Sequence, residues 1–282
     1  MVTAPFGYWS PLSSQSDRGF TLLSARNPSN VEGRWPCLKI QDARRRFFWL
    51  TISIIINSAA NALTIATGMG SAVWTASAVN IAHWVTHSTD PALANHVMGT
   101  VLVIYGVAVA FLAMLLTQRI DWTRFVRNIL FVVPFSYLVQ WFVPLFRDFL
   151  RIGELQANFS HPYQLALDII IDIFGLFWVA TAVSLYQRAN LIMHPNDDLS
   201  YILRFKYLHG RASASQWASY VPPLVMTVLS LIANHQVWSF GFGTVWAFVT
   251  QGYVQGWADE HVAPSFKHHF VLQKPRGWKF NN

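Results

Sequence analysis

Apolar and polar positions divide this chain into long uncharged stretches separated by short charged ones. No Asp, Glu, Lys or Arg occurs from Phe47 to Ser88, from Pro91 to Gln118, from Asn128 to Phe146, or from Ala212 to Ala258. Uncharged apolar runs of about 20 residues read as membrane spans, and the longest run holds two of them. The pattern predicts spans over 47–69, 97–116, 128–146, 163–187, 218–234 and 240–258. Two shorter segments, 71–87 and 191–207, are broken from their predecessors by Gly68–Met69–Gly70 and by Pro195. The expected fold is an all-α polytopic bundle of six to eight membrane elements, the two short ones being brief spans or re-entrant half-helices.

The order of span, broken short segment, span and span occurs twice, which predicts an internal repeat. At a constant offset of 116, Phe47 meets Tyr163, Leu115 meets Leu231, Trp122 meets Trp238, Tyr137 meets Tyr253 and Trp141 meets Trp257. The expected organisation is a basic tail over 1–46, repeat 1 over 47–146, a loop over 147–162, repeat 2 over 163–260 and a second basic tail over 261–282. Matching halves with paired, interrupted segments point to a transporter-like site between them.

Composition sharpens this picture. The chain is 53% hydrophobic and only 12% charged, against an ordinary charged share near 25%. The net charge of +7 lies in the tails and short loops, as the positive-inside bias produces, so a nucleic-acid partner is not expected. If both short segments are re-entrant, six crossings put 18 of the 20 basic residues inside and leave only Arg147 and Arg151 outside. If both cross, the division is 16 to 4. Either count puts both tails in the cytoplasm. Residues 1–40 lack an apolar core, so no cleavable signal is expected. The one cysteine, Cys37, permits no internal disulfide.

The candidate chemistry starts with Asp168 and Asp172, one helical turn apart inside the fifth predicted span. A carboxylate at the bilayer centre costs about 2.5–3.5 kcal/mol on insertion scales, so this face should point into protein or water. The pair either carries a proton or a cationic group, or is structural, with Asp168 at the outer interface and Asp172 paired to the stripe Asn57, Asn61 and Thr64. Trp74 follows the first break. Asp197 and Asp198 open a helix after the second, with Asn196 as the expected N-cap. Gln140, Gln251 and Gln255, with Tyr137 and Tyr253, either line a polar path or hydrogen-bond between helices. His83, His87, Asp90 and His96 have a spacing compatible with a metal, but no Cys or Glu completes the shell. No metal, cofactor or enzymatic activity is expected, since the familiar hydrolase, nucleotide and thiol motifs are absent. Asn158–Phe159–Ser160 fits the glycosylation pattern.

The turn Gly68–Met69–Gly70–Ser71–Ala72–Val73–Trp74 resembles the first-half motif of the YczE/YyaS/YitT-like bacterial membrane proteins. In that family the first span ends in an Ala-Asn-Leu-Gly-x-Ser-Pro-Trp-Asp type sequence. Ala189–Asn190–Leu191 and His194–Pro195–Asn196–Asp197 resemble its second-half turn. The likeness covers roughly 47–260. Ala72 or Val73 stands where the first-half Pro would be, Thr75 stands where the Asp would be, and the soluble C-terminal domain of the YitT-type members is not expected. The resemblance implies a two-half membrane fold in a bacterial inner membrane and no particular substrate.

The function expected from the sequence is secondary transport or channelling of a small polar solute, possible proton coupling included. The alternative is a non-transporting membrane regulator or scaffold that holds a protein partner through its basic tails. The expected partners are the lipid bilayer and a small-molecule solute of unknown identity, and a homo-oligomer is compatible with the pattern.

Overall fold

The structure, a computed structural model, describes residues 40–118, 120–150, 162–208 and 212–266. The N-terminal tail to 39, most of the predicted central loop with the Asn158 pattern, and the tail beyond 266 lie outside the described residues. Helix α1 spans Ile40–Thr67, α2 Val73–Thr86, α3 Pro91–Thr117, α4 Trp122–Leu150 and α5 Pro162–Ala189. Then follow α6 over Pro195–Ile202 with a π-helical extension to Tyr207, α7 over Ala212–Ser219, α8 over Val221–Asn234 and α9 over Phe242–His261. Among the described residues, five segments are long and apolar enough to cross a membrane: Ala43–Thr67, Pro91–Thr117, Trp122–Asp148, Leu165–Ala189 and Ala214–Asn234.

Burial is distributed as a bilayer solvent requires. Ile104, Leu115, Trp141, Ile170 and Phe174 are exposed on the outer faces, while Ser53, Ser58, Asn61, Thr64, Thr67, Ser77 and Asn80 are buried. Lipid rewards no burial of Leu over Ser between helices, so small polar residues collect where backbones approach closely. Phe131, Val132, Phe135 and Val139 of α4 and Leu102, Tyr105 and Val109 of α3 supply the apolar core.

Helices α1 and α5 pack against each other and run antiparallel. Arg46, near the start of α1, donates to the carbonyls of Arg188 and Ala189 at the end of α5 (3.0 and 2.9 Å). At the other end, Thr67 of α1 donates to Asp172, ten residues into α5 (2.8 Å). Helix α4 packs on α1, and α9 packs on α5. The α5–α9 pair is parallel, with Ser184 donating to Asp259 and Arg188 to Val262 O. Helix α2 sits between α3 and α8, and α3 also packs on α6.

Two basic residues have roles that their sequence position conceals. α1 begins at Ile40, ahead of the Arg44–Arg46 group, and Arg46 is buried as a cap on orphan carbonyls at the C-terminus of α5. Arg188, 1% exposed, bonds the carbonyls of Val262, Ala263 and Phe266 and ties the chain after α9 to the end of α5.

Candidate functional site

The first break is built by glycine geometry. Gly68 has φ 68° and Gly70 φ 128°, a region where a side chain would be strained. The opened backbone is taken up by the start of α9. Ser71 N donates to Ser239 O (3.0 Å), Gly243 N to Met69 O (3.1 Å) and Thr244 Oγ1 to Ser71 O (2.7 Å). Farther along α2, Asn80 holds the same connection: its Nδ2 donates to Trp238 O (2.6 Å) and its Oδ1 accepts from Trp238 N (2.8 Å). Asn80 O accepts from Ser230 Oγ. Replacing Asn80 by Ala removes three side-chain bonds, one to Ala76 O within α2 and two to Trp238 across a buried seam. The expected loss is about 1–3 kcal/mol, read as a lower unfolding midpoint of the detergent-solubilised protein.

Asp172 lies against this junction and is fully buried. Its Oδ1 accepts from Thr67, while Oδ2 has no hydrogen-bond partner. That oxygen occupies the space a Cβ on Gly243 would take, 1.9 Å from the ideal Cβ position, with Gly70 O 2.3 Å from the same point. Asp168 is also buried, with Oδ1 unbonded. Among the described residues, neither carboxyl forms an ion pair with a basic side chain. Asp168 therefore is not at an exposed interface, and Asp172 is not paired with the asparagine stripe. Asn57 and Asn61 instead bond each other (2.9 Å), and Asn61 Oδ1 accepts from Thr75 at the start of α2 (3.1 Å).

The second break places His194 as the N-cap of α6, with Pro195 at the first helical position. Asn196 was the expected cap. Proline decides the register instead, because its fixed φ suits the first helical position and its missing N–H costs nothing there. His194 Nδ1 accepts from Asn196 N (3.3 Å). Asp197 accepts from the Tyr186 hydroxyl. Asp198 accepts from Arg124 Nε (2.8 Å), Arg124 Nη2 (2.5 Å) and Asn128 Nδ2 (2.8 Å).

The two breaks meet. The Trp74 ring, on the first turn of α2, lies edge-on to His194 at 4.5 Å and stacks on Tyr105 at 4.2 Å. Phe131 and Phe135 close on His194 at 5.5 and 5.4 Å. Tyr105 is near the middle of α3, and the two phenylalanines are near the middle of α4. From there α2 runs to His87, beside the start of α3. Segment 195–207 runs the other way, Lys206 and Tyr207 both donating to Leu116 O at the end of α3 (2.8 Å each). Two helices therefore face each other N-terminus to N-terminus at the centre of the bundle. Around that point, Trp74 Nε1, His194 Nε2 and Asn196 Oδ1 are buried without hydrogen-bond partners, and the buried Tyr105 hydroxyl has only Ser77 beside it.

The remaining candidates lie apart from this centre. Gln140 seams α3 to α4, accepting from Gly99 N (2.8 Å) and donating to His96 O (3.1 Å). Gln255 donates to Gln187 and Tyr220 to Gln251. Tyr137 and Tyr253 are exposed. A cavity of about 340 Å³ between α5 and α9 is lined by Gln251, Tyr253, Phe177 and Trp246, and reaches Ala72, the N-cap of α2. His83 stacks on Trp238, and no group of three or more metal-ligating side chains forms among the described residues. Tyr105, Tyr186, Arg124 and Asn128 were not among the residues singled out in the sequence. None carries a local signal, since each matters only through a partner far along the chain.

These features define a multi-pass helical membrane protein with two interrupted segments buried at its centre. The chain belongs to the family of unknown function DUF6198, which matches residues 44–260. No curated protein and no solved structure matches it.

Proposed function

We propose that the chain is a secondary carrier for a small polar solute, built from two inverted halves that cross the membrane six times. The observation that carries this reading is the end-to-end meeting of α2 and α6, neither long enough to cross, among unpartnered polar atoms in the middle of the bundle. Discontinuous helices at the midplane are how repeated halves present backbone and dipoles to a solute.

The halves correspond as α1 to α5, α2 to α6, α3 to α7–α8 and α4 to α9. Their starts at 40 and 162, 73 and 195, 91 and 212, and 122 and 242 are 120–122 residues apart. Packing partners exchange in the same way: α1 on α4 as α5 on α9, and α3 on α6 as α8 on α2. The offset of 116 suggested by aromatic matches is a few residues out of register. Trp122 opens α4, whereas Trp238 precedes α9. Antiparallel α1 and α5 support the inverted arrangement, with α2 and α6 re-entrant and α9 as the sixth crossing. Both tails then lie on one side, which the basic residues assign to the cytoplasm.

Asp172 is the coupling group in this reading. A buried carboxylate without a basic partner is held by binding a proton or a cation, and Asp172 touches the break that sets the position of α2. The test is flux into proteoliposomes loaded with a pH-sensitive dye and challenged with a panel of small polar solutes. Solute-dependent acidification is expected from the wild-type chain. Asp172→Asn, folded to the same melting point, is expected to fall to the rate of protein-free vesicles. An unaltered rate in Asp172→Asn removes the carboxyl from the mechanism, and a panel without any flux counts against the carrier.

A further inference from the structure

We infer that the meeting point of α2 and α6 is a binding site for the carboxylate of a small solute, with Trp74, Tyr105 and His194 as its side-chain donors. The inference rests on reading this centre as the solute site of the carrier and names the class of solute.

The hydrogen-bonding inventory is one-sided. Trp74 Nε1 is a donor by constitution, and the Tyr105 hydroxyl donates readily. His194 is fixed as a donor by its own cap: Nδ1 accepts from Asn196 N, so the neutral ring carries its proton on Nε2. All three residues are buried, at 6%, 3% and 6% exposure; Trp74 Nε1 and His194 Nε2 have no partner, and the Tyr105 hydroxyl has only Ser77 beside it. Ring contacts at 4.2 and 4.5 Å hold the three side chains in one cluster. Against them stands one unpartnered acceptor, Asn196 Oδ1.

The backbone adds the same sign. Helix α2 starts at Ala72 without a side-chain cap and has no acidic residue in its first turn. Its leading N–H groups and positive dipole end therefore remain for an anion. Helix α6 differs, having Asp197 and Asp198 in its first turn. Those carboxylates are already occupied by Tyr186, and by Arg124 with Asn128, so they are not an open seat for a cation. Phe131 and Phe135 on His194 leave aromatic walls, which suit a solute with a short apolar body and restrict its size. Unsatisfied buried donors of this kind cost stability, and an acceptor that pairs with them recovers it.

The test uses the full chain in detergent, heated with sodium acetate, propionate or pyruvate, and in parallel with acetamide, propionamide and ethylammonium chloride at matched ionic strength. Saturable stabilisation by carboxylates is expected, with a weaker effect of amides and none of ethylammonium. Trp74→Phe removes the indole N–H, and Tyr105→Phe removes only a hydroxyl and keeps the ring stack. Each is expected to raise the half-saturating carboxylate concentration about 10- to 100-fold. If Trp74→Phe does not fold, Tyr105→Phe alone gives the reading. Ethylammonium or amides stabilising as strongly as acetate overturn the inference. So do the lack of a saturable shift with every carboxylate and an unchanged affinity in the folded variants. Flux separates the two readings. Carboxylate binding without transport keeps the site and removes the carrier, whereas transport of amides or amines without carboxylate binding does the reverse.

Discussion

Alanine at position 243 is expected to lower the unfolding midpoint by roughly 6–12 °C, the equivalent of about 3 kcal/mol. The new Cβ would fall 1.9 Å from Asp172 Oδ2 and 2.3 Å from Gly70 O. The first is a side-chain atom that can swing away only by moving off Thr67. The second belongs to a backbone held on both sides, by Gly243 N on Met69 O and by Ser71 N on Ser239 O. Adding Asp172→Ala to the Gly243→Ala chain clears the nearer oxygen and leaves the carbonyl, so recovery is expected to be partial. Gly252→Ala and Gly256→Ala serve as controls on the same helix. Nothing lies within 4 Å of an added Cβ at either position, and each is expected to be neutral or to stabilise by about 0.5–1 kcal/mol. A Gly243→Ala chain that melts with the controls would mean that the α9 start is not wedged against the first break.

The second large effect is expected at Asp198. Its carboxylate is 5% exposed and accepts from Arg124 and Asn128, with Arg124 32% exposed. Asp198→Asn keeps the shape, removes the charge and leaves the guanidinium facing an amide. Breaking one side of such a pair costs about 3–5 kcal/mol, and the partial access of Arg124 to solvent favours the lower end. The double variant Arg124→Gln, Asp198→Asn removes both charges and is expected to recover part of the loss, because no unpaired ion remains. Thermal unfolding of the four chains gives the coupling directly, and a coupling indistinguishable from zero would mean that the pair does not hold α6.

Much of the architecture was legible because it is written locally. Apolar runs located α3, α4 and α5 to within six residues at each end, α5 despite its two aspartates, and Gly68 and Gly70 marked where α1 had to stop. Pro195 and the two aspartates announced α6. The predicted span at 218–234 lies within the crossing segment Ala214–Asn234, which α7 and α8 form together, joined at Tyr220 just before Pro222 and Pro223. The centre of the molecule was not legible to the same degree. Trp74, Asp172 and Asp197 were visible as oddities, but His194 looked like one more turn residue. Only the meeting of two segments 120 residues apart turns it into an unpartnered donor. Tyr105 is an ordinary aromatic in an apolar run until Trp74 stacks on it. Arg46 and Arg188 were read as flanking charges by the positive-inside pattern, which cannot distinguish a headgroup anchor from a buried cap on carbonyls.

Helix length has its own consequence for the lipid environment. The 27 residues of α3 and 29 of α4 make rods of about 40 and 43 Å, against a hydrocarbon layer of about 30 Å. The 20 residues of α9 make about 30 Å, enough to match that layer with no tilt. The long pair must lean or protrude to fit, while α9 need not. Thinning the bilayer therefore bears on α3 and α4 first, so acyl-chain length acts unequally on the two sides of the bundle.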